Sequence, residues 1–296
     1  VRCESSQAAD PPARRLADLL HRIGYEVVPV RNAEREVLEH VPATVPLTVT
    51  VTEARGIDTT LELTERLTRH GYAVAPHLPA RQFIDKEHVA DVVARLREAR
   101  VRSVFVIGGD APRPAGAFAD AYALLRAMEE AHHPFEEIGV AGYPEGHPAI
   151  SREALDLSLK QKAPMATHVI TQICFDAGTT ANWAAGLARA GVDLPIHVGM
   201  PGPVNRQKLM RISANIGLGP SARFLRKQRS LLWRFLLPGG HDPTKLARRL
   251  GAAASKTGGN LRGLHIFTFG ELRQTELWRR RLLSSIDPER AGPSFQ

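Results

Sequence analysis

Eight short runs dense in Val, Ile, Leu and aromatic residues recur along the chain, at 25–30, 47–52, 73–78, 102–107, 138–143, 168–171, 194–198 and 264–269. Each has the length and the β-branched content of a strand. Between them the apolar residues change to helical spacing. "TTLELTERLTRH" sets Leu61, Leu63 and Leu67 among charged residues, and "KEHVADVVARLREAR" sets Val89, Val92, Val93 and Leu96 on one face. Further helices are predicted at 119–130, 152–162 and 180–190, the last stopped by the Ala190-Gly191 pair. After the seventh run the pattern is longer, with two helices predicted in 206–237 and a third in 242–251.

Strands that alternate with helices build parallel sheets, and eight such units close a barrel. The predicted fold is therefore α/β, a (β/α)8 TIM barrel with extra helices after strand seven. The barrel is expected to form a single domain over 21–296, behind a flexible N-terminal lead-in at 1–20. The rival is a doubly wound open sheet. Its glycine fingerprint is missing after the first strand, which reads "YEVVPVRNAE", and "GGDAPRPAG" after the fourth has neither that spacing nor a P-loop's.

Composition narrows the partners more than the fold. Of 296 residues, 43% are hydrophobic and 24% charged, which is enough apolar material for a large core. The net charge of +8 favours anionic ligands but does not single out nucleic acid, and no nucleic-acid partner is expected. No apolar run reaches the roughly 18 to 20 residues needed to cross a bilayer, and no targeting run is present, so a soluble, cytoplasmic protein without a membrane partner is expected. Cys3 and Cys174 are the only cysteines, which argues against a disulfide scaffold. The basic stretch "RFLRKQRSLLWRFL" reads as an amphipathic helix packed on the barrel with its arginines in solvent, or as a contact for a polyanion or membrane surface; the first reading is favoured. The sequence leaves the oligomeric state open.

Barrel chemistry gathers at strand C-termini. Glu26, Thr52, His77, Asp110, Glu145, His147, Gln172 and Asp176 fall there. An inward Glu26 among apolar neighbours would hold its proton and serve as a general acid; turned outward it is an ordinary carboxylate. Asp110 follows two glycines that permit close backbone approach, and its carboxylate can accept two hydrogen bonds from a guanidine-like edge or simply cap the turn. In "GYPEGHP", Tyr143 and His147 suit a planar or diphosphate ligand, or hold the loop on the barrel. Gln172 offers both a donor and an acceptor. No metal is expected, because His77, His147, His168 and His197 stand singly on different elements and Cys174 reads as a small apolar residue.

These residues resemble the methylenetetrahydrofolate reductase family. The resemblance runs over about 25–273 and is concentrated in "YEVVP", "APHLPA", "VIGGDAP", "GVAGYPEGHP", "LKQK", "VITQICFD" and "HIFTFGE". It implies a (β/α)8 catalytic domain that reduces 5,10-methylenetetrahydrofolate to 5-methyltetrahydrofolate with NADH or NADPH, normally through FAD. It further implies Glu26 as the proton donor that opens the five-membered ring, with Asp110 and Gln172 binding the pterin and Asp110 also catalytic. Thr52, His77, Gly109, Tyr143, His147 and Lys162 fall where the family holds its cofactor. The chain departs from the family at the flavin. Gly108 stands in place of an arginine before the GD turn, Ser158 in place of an asparagine, and Pro164 and Met165 interrupt the pattern after Lys162. Glu53 brings negative charge toward a diphosphate. FAD is therefore expected to bind weakly or not at all, with hydride passing directly from NADH, or from NADPH, to a folate substrate that is polyglutamylated. Residues 223–234 are a candidate contact for that polyglutamate tail. A folate-dependent one-carbon transferase and a non-catalytic folate-binding regulatory protein are the alternatives.

Overall fold

All eight runs form strands in the computed structural model, which describes residues 11–51, 56–147, 149–204, 243–256 and 260–286. In chain order the elements are α1 (Pro11–His21), β1 (Ile23–Val27), α2 (Ala33–His40), β2 (Leu47–Val49), α3 (Gly56–Arg69), β3 (Val74–Pro79) and α4 (Lys86–Glu98). These are followed by β4 (Ser103–Ile107), α5 (Ala121–Glu130), β5 (Glu137–Gly142), α6 (Arg152–Lys162), β6 (His168–Thr171) and α7 (Ala177–Arg189). The chain then continues through β7 (Ile196–Pro201), α8 (Thr244–Lys256), β8 (Leu261–Phe267) and α9 (Leu272–Ile286). The strands are parallel and run in sequence order around a closed barrel, with β1 bonded to both β2 and β8. The predicted (β/α)8 topology is the observed one.

Alternation along the strands divides the core. Val104, Val106, Val140, Val169, Val198 and Ile266 point outward into the layer between sheet and helices and are fully buried. The intervening residues face the barrel axis. Asp85, Asp120, Ser151 and Asp176 start α4, α5, α6 and α7, each accepting a hydrogen bond from a first-turn backbone N–H at 2.6 to 3.2 Å. These caps place the loops above the barrel mouth in fixed register with the helices that follow.

The stretch read as a lead-in, 1–20, is helical from Pro11. Proline is favoured at a first helical position, and "RRLADLL" carries an apolar stripe that the short window hid. Leu16, Leu19 and Leu20 are at most 2% exposed, and α1 packs against α8, where Gly251 comes so close to Leu16 that a Cβ there would lie 2.8 Å from the leucine Cβ. α2 and α9 also lacked a clear signal, since α2 buries only Ala33 and Val37, and α9 is interrupted by arginines. Of the extra helices after strand seven, α8 is present; the two expected in 206–237, the basic stretch 223–234 among them, lie outside the described residues, as do Cys3, Thr52 and Glu53. Among the described residues no helix is long and apolar enough to cross a membrane.

β1 is anchored on its outer face by Tyr25. Its hydroxyl donates to Glu276 Oε2 at 2.8 Å, and the same nearly buried carboxylate accepts from Arg279 and Arg280 at 2.7 to 2.8 Å. Tyr25→Phe is expected to lower unfolding stability by about 1.5–2 kcal/mol, the low end for a hydrogen bond to a charged group, because both arginines continue to satisfy Glu276. Urea denaturation measures it, and an unchanged midpoint would show that the bond contributes nothing.

Candidate active site

Above the barrel core lies a cavity of about 260 Å³ that reaches the strand C-termini. Strands β1, β3, β4, β5, β6 and β8 contribute to its wall, and Thr50 and Val51 line it just beyond β2. Glu26 of β1 enters from one side, His77 of β3 and Phe105 of β4 form a second wall, and His265 and Phe267 of β8 close a third. Asp110, Tyr143 and Gln172 stand at the rim on the loops after β4, β5 and β6.

Glu26 is flanked in register by Thr48 and Phe267. Tyr25 and Val27 beside it face outward, so strand alternation alone turns Glu26 inward. Its residual exposed surface opens into the cavity, which is why partial accessibility goes together with strong desolvation. Burial raises its carboxyl from about 4.5 to about 7. A group balanced there holds a proton near neutrality and can release it.

The walls hold neutral imidazoles. Burial lowers His77 to about 3, and its ring meets Phe105 edge-on with centroids 4.8 Å apart. Its Nε2 is buried without a hydrogen-bond partner, an orphaned group that a ligand can satisfy. His265 is held well below its ordinary value by burial and neighbouring histidines, with Nε2 3.4 Å from Thr48 Oγ1. His168 and His197, deeper in the barrel, are both lowered to about 4 chiefly by burial, and their rings lie 5.5 Å apart. Sequence spacing scattered these histidines singly; closure of the barrel brings four into one interior. Among the described residues no group of three or more His, Cys, Asp or Glu side chains is arranged to hold a metal ion.

The rim is built from three loops. Gly109 has φ +87°, and a Cβ there would come 2.9 Å from Pro79 Cβ, so the turn that presents Asp110 requires glycine. Asp110 is exposed at the mouth, where its charge, after burial, helps push the Tyr143 phenol up to about 12. It also opposes the burial that lowers His147, whose ring meets Tyr143 edge-on at 5.3 Å. Gln172 Oε1 accepts from the Ile173 backbone N–H at 2.8 Å, which leaves the amide NH2 to present donors to a ligand. Glu145 ties two loops together, its Oε1 accepting from Phe175 N at 2.6 Å and Asp176 N at 2.9 Å.

The structure thus gathers Glu26, His77, Gly109, Asp110, Tyr143 and Gln172 around one cavity. His147 stands behind Tyr143 and does not line it. Lys162 ends α6, is 6% exposed and is lowered to about 8 by burial against the opposing charge of Asp120; it does not line the cavity either. Asp176 caps α7 and Glu145 holds backbone, and neither lines the cavity. Cys174 is buried with its thiol raised to about 12, too high for a nucleophile near neutral pH. Sequence reasoning missed His265, Phe105 and Phe267. A polar residue at alternating spacing inside "LHIF" was the available signal for His265.

Comparison with known proteins is consistent with this arrangement. The family model "Methylenetetrahydrofolate reductase" matches residues 23–217. Methylenetetrahydrofolate reductase 2 of Saccharomyces cerevisiae is 30% identical over 123 residues, covering 38% of this chain and 20% of that protein. The Caenorhabditis elegans protein named "Probable methylenetetrahydrofolate reductase (NADPH)" is 31% identical over 134 residues, covering 42% and 20%. The matched segment thus spans about a fifth of these curated relatives. Among solved structures, a Clostridium thermocellum protein that binds two copies of 5-methyl-5,6,7,8-tetrahydrofolic acid superposes with a TM-score of 0.57 at 11% identity, covering 90% of this chain and 98% of that one, a likeness of fold.

Proposed function

Because the chain belongs to the methylenetetrahydrofolate reductase family, we propose that it reduces 5,10-methylenetetrahydrofolate to 5-methyltetrahydrofolate, with NADH, or alternatively NADPH, as hydride donor. The observation that carries this reading is Glu26, a carboxyl raised to about 7 inside the cavity whose rim presents Asp110 and Gln172. Asp110 accepts from the guanidine-like edge of the pterin, and the Gln172 amide donates to the same ring system. Glu26 gives its proton to the ring nitrogen that leaves as the five-membered ring opens, which produces an electrophilic iminium carbon. The nicotinamide substrate supplies the hydride that reduces this carbon. Phe105, Phe267 and the neutral His77 and His265 keep bulk water from the reacting centre.

FAD, the family's usual intermediary, fits the described residues poorly. At Gly108, where the family carries an arginine, a Cβ would meet no atom of the described residues within 4 Å, so none of them fills the space where that side chain would begin. Ser158 does not reach the cavity. Direct hydride transfer between two bound substrates is the step proposed in place of a flavin relay, and it needs only that they lie at reacting distance.

Anaerobic incubation with methylenetetrahydrofolate and NADH or NADPH, with and without added FAD, tests both parts by following the methyl product. Methyl product dependent on nicotinamide is expected without added flavin, and gently purified protein is expected to show little absorbance near about 450 nm. Near-stoichiometric flavin, or submicromolar FAD affinity together with FAD-dependent turnover, would overturn the flavin-free reading. Absence of methyl product under every condition would overturn the reductase itself.

A further inference from the structure

We propose that Arg81 is a positioning residue that fixes the turn carrying Asp110. This rests on the reading of Asp110 as a pterin contact. Residues 108–120 join β4 to α5 without helix or strand and are rich in glycine and proline, so the segment has few means of holding its own shape. Its order comes from the segment just after β3. The Arg81 guanidinium reaches across and donates to three carbonyls: Nε to Ala111 O at 2.6 Å, Nη1 to Ala119 O at 3.0 Å and Nη2 to Pro112 O at 3.0 Å. Two of these carbonyls belong to the residues immediately after Asp110.

Backbone lacing reinforces the same contact. Arg81 N donates to Gly108 O, Ala115 N to Arg81 O and Ala117 N to Ile84 O, at 2.9 to 3.0 Å. Close approach does the rest, since Gly109 lies against Pro79 and a Cβ on Gly116 would overlap the Ile84 carbonyl. Arg81 therefore sits at the centre of a seam between the segment after β3 and the loop that carries Asp110.

Only arginine can do this. Its planar fork has donors in three directions at once, whereas a lysine ammonium is a compact point charge that cannot span three separated acceptors. With its Nε and both terminal nitrogens engaged on carbonyls, the guanidinium acts as a strut. It restrains Asp110 at the rim before the ligand arrives, and pre-organisation of this kind appears as affinity.

The test combines Arg81→Met, Arg81→Lys and Asp110→Asn in the full chain, with 5-methyltetrahydrofolate as the titrated ligand. Arg81→Met is expected to weaken binding about tenfold, with the larger part of the kinetic loss in KM and the smaller in kcat, and without moving the pH midpoint that Glu26 sets. Arg81→Lys is expected to recover little of the loss. Because the strut acts through Asp110, adding Arg81→Met to Asp110→Asn is expected to cost almost nothing further. Unchanged affinity in Arg81→Met, or an equal loss in both backgrounds, would overturn the proposal. Hydrogen exchange at the Ala115 and Ala117 amides separates the two layers of inference. If the wild-type protein binds no folate, the reading of Asp110 falls, and the strut stands if exchange rises in Arg81→Met and falls if it does not.

Discussion

Glu26→Gln is expected to lower turnover by about 10²-fold or more while changing folate affinity little, the loss typical of removing a positioned general acid. Glutamine keeps the shape and polarity of the protonated carboxyl but has no proton to give. In the wild-type enzyme turnover is expected to fall as pH rises through about 7, where Glu26 loses its proton; in the variant that limb disappears. The substitution should move stability the opposite way from turnover. A carboxyl whose folded value lies above its unfolded value near 4.5 leaves the native state unpenalised below about pH 4.5 and costs it progressively as pH rises to about 7. At pH 8 Glu26→Gln is therefore expected to be more stable than wild type by about 2–3 kcal/mol, a difference that vanishes near pH 4. Denaturant titration at the two pH values, beside the pH–rate profile, checks both halves. A variant with near-wild-type turnover where chemistry limits the rate would exclude the general-acid role, and a pH-independent stability difference would exclude the desolvated carboxyl.

Asp110→Asn should fail differently. The carboxylate stands exposed at the mouth, so its removal creates no buried defect and the fold should be untouched. What is lost is a charge-assisted, two-point contact with the pterin edge, and an amide offers only one acceptor atom in its place. Folate affinity is expected to fall about tenfold or more and kcat/KM further, because a pterin held loosely presents its reacting carbon to the hydride less often. Direct titration with 5-methyltetrahydrofolate and steady-state kinetics measure the two effects. Unchanged values for both would remove Asp110 from the site.

The two variants separate the roles that share one cavity, and the separation follows from where the chain puts each group. Glu26 is part of a strand whose neighbours are buried on the other face, so its surroundings are dry and its proton is the useful feature. Asp110 is on a glycine turn at the rim, so its charge is the useful feature. Gln172 lies between, with one end of its amide engaged by backbone and the other free.

Local pattern by itself determined the strand count, the parallel topology and most helices, because period-two and period-3.6 burial are written residue by residue and eight βα units have one simple closure. Which way Glu26 faces was left open by the strand pattern and was decided by the barrel, which buries Tyr25 and Val27 on the outer face. Glu26, Asp110 and Gln172 were legible as candidates because polar groups near strand ends stand out against apolar runs and because the motifs that carry them resemble the family's, and the barrel brings all three to one cavity. The rest depended on distances between residues far apart in the chain. The helicity of residues 11–21 had to wait for α8 to provide a surface for Leu16, Leu19 and Leu20. That His265 and Phe267 share a cavity with His77 follows from β8 closing on β1, and that Lys162 and His147 stand off the cavity follows from how α6 and the loop after β5 are packed. The seam between Arg81 and the Asp110 turn belongs wholly to the tertiary structure, since a guanidinium finding three carbonyls 30 to 38 positions away leaves no periodic trace in sequence.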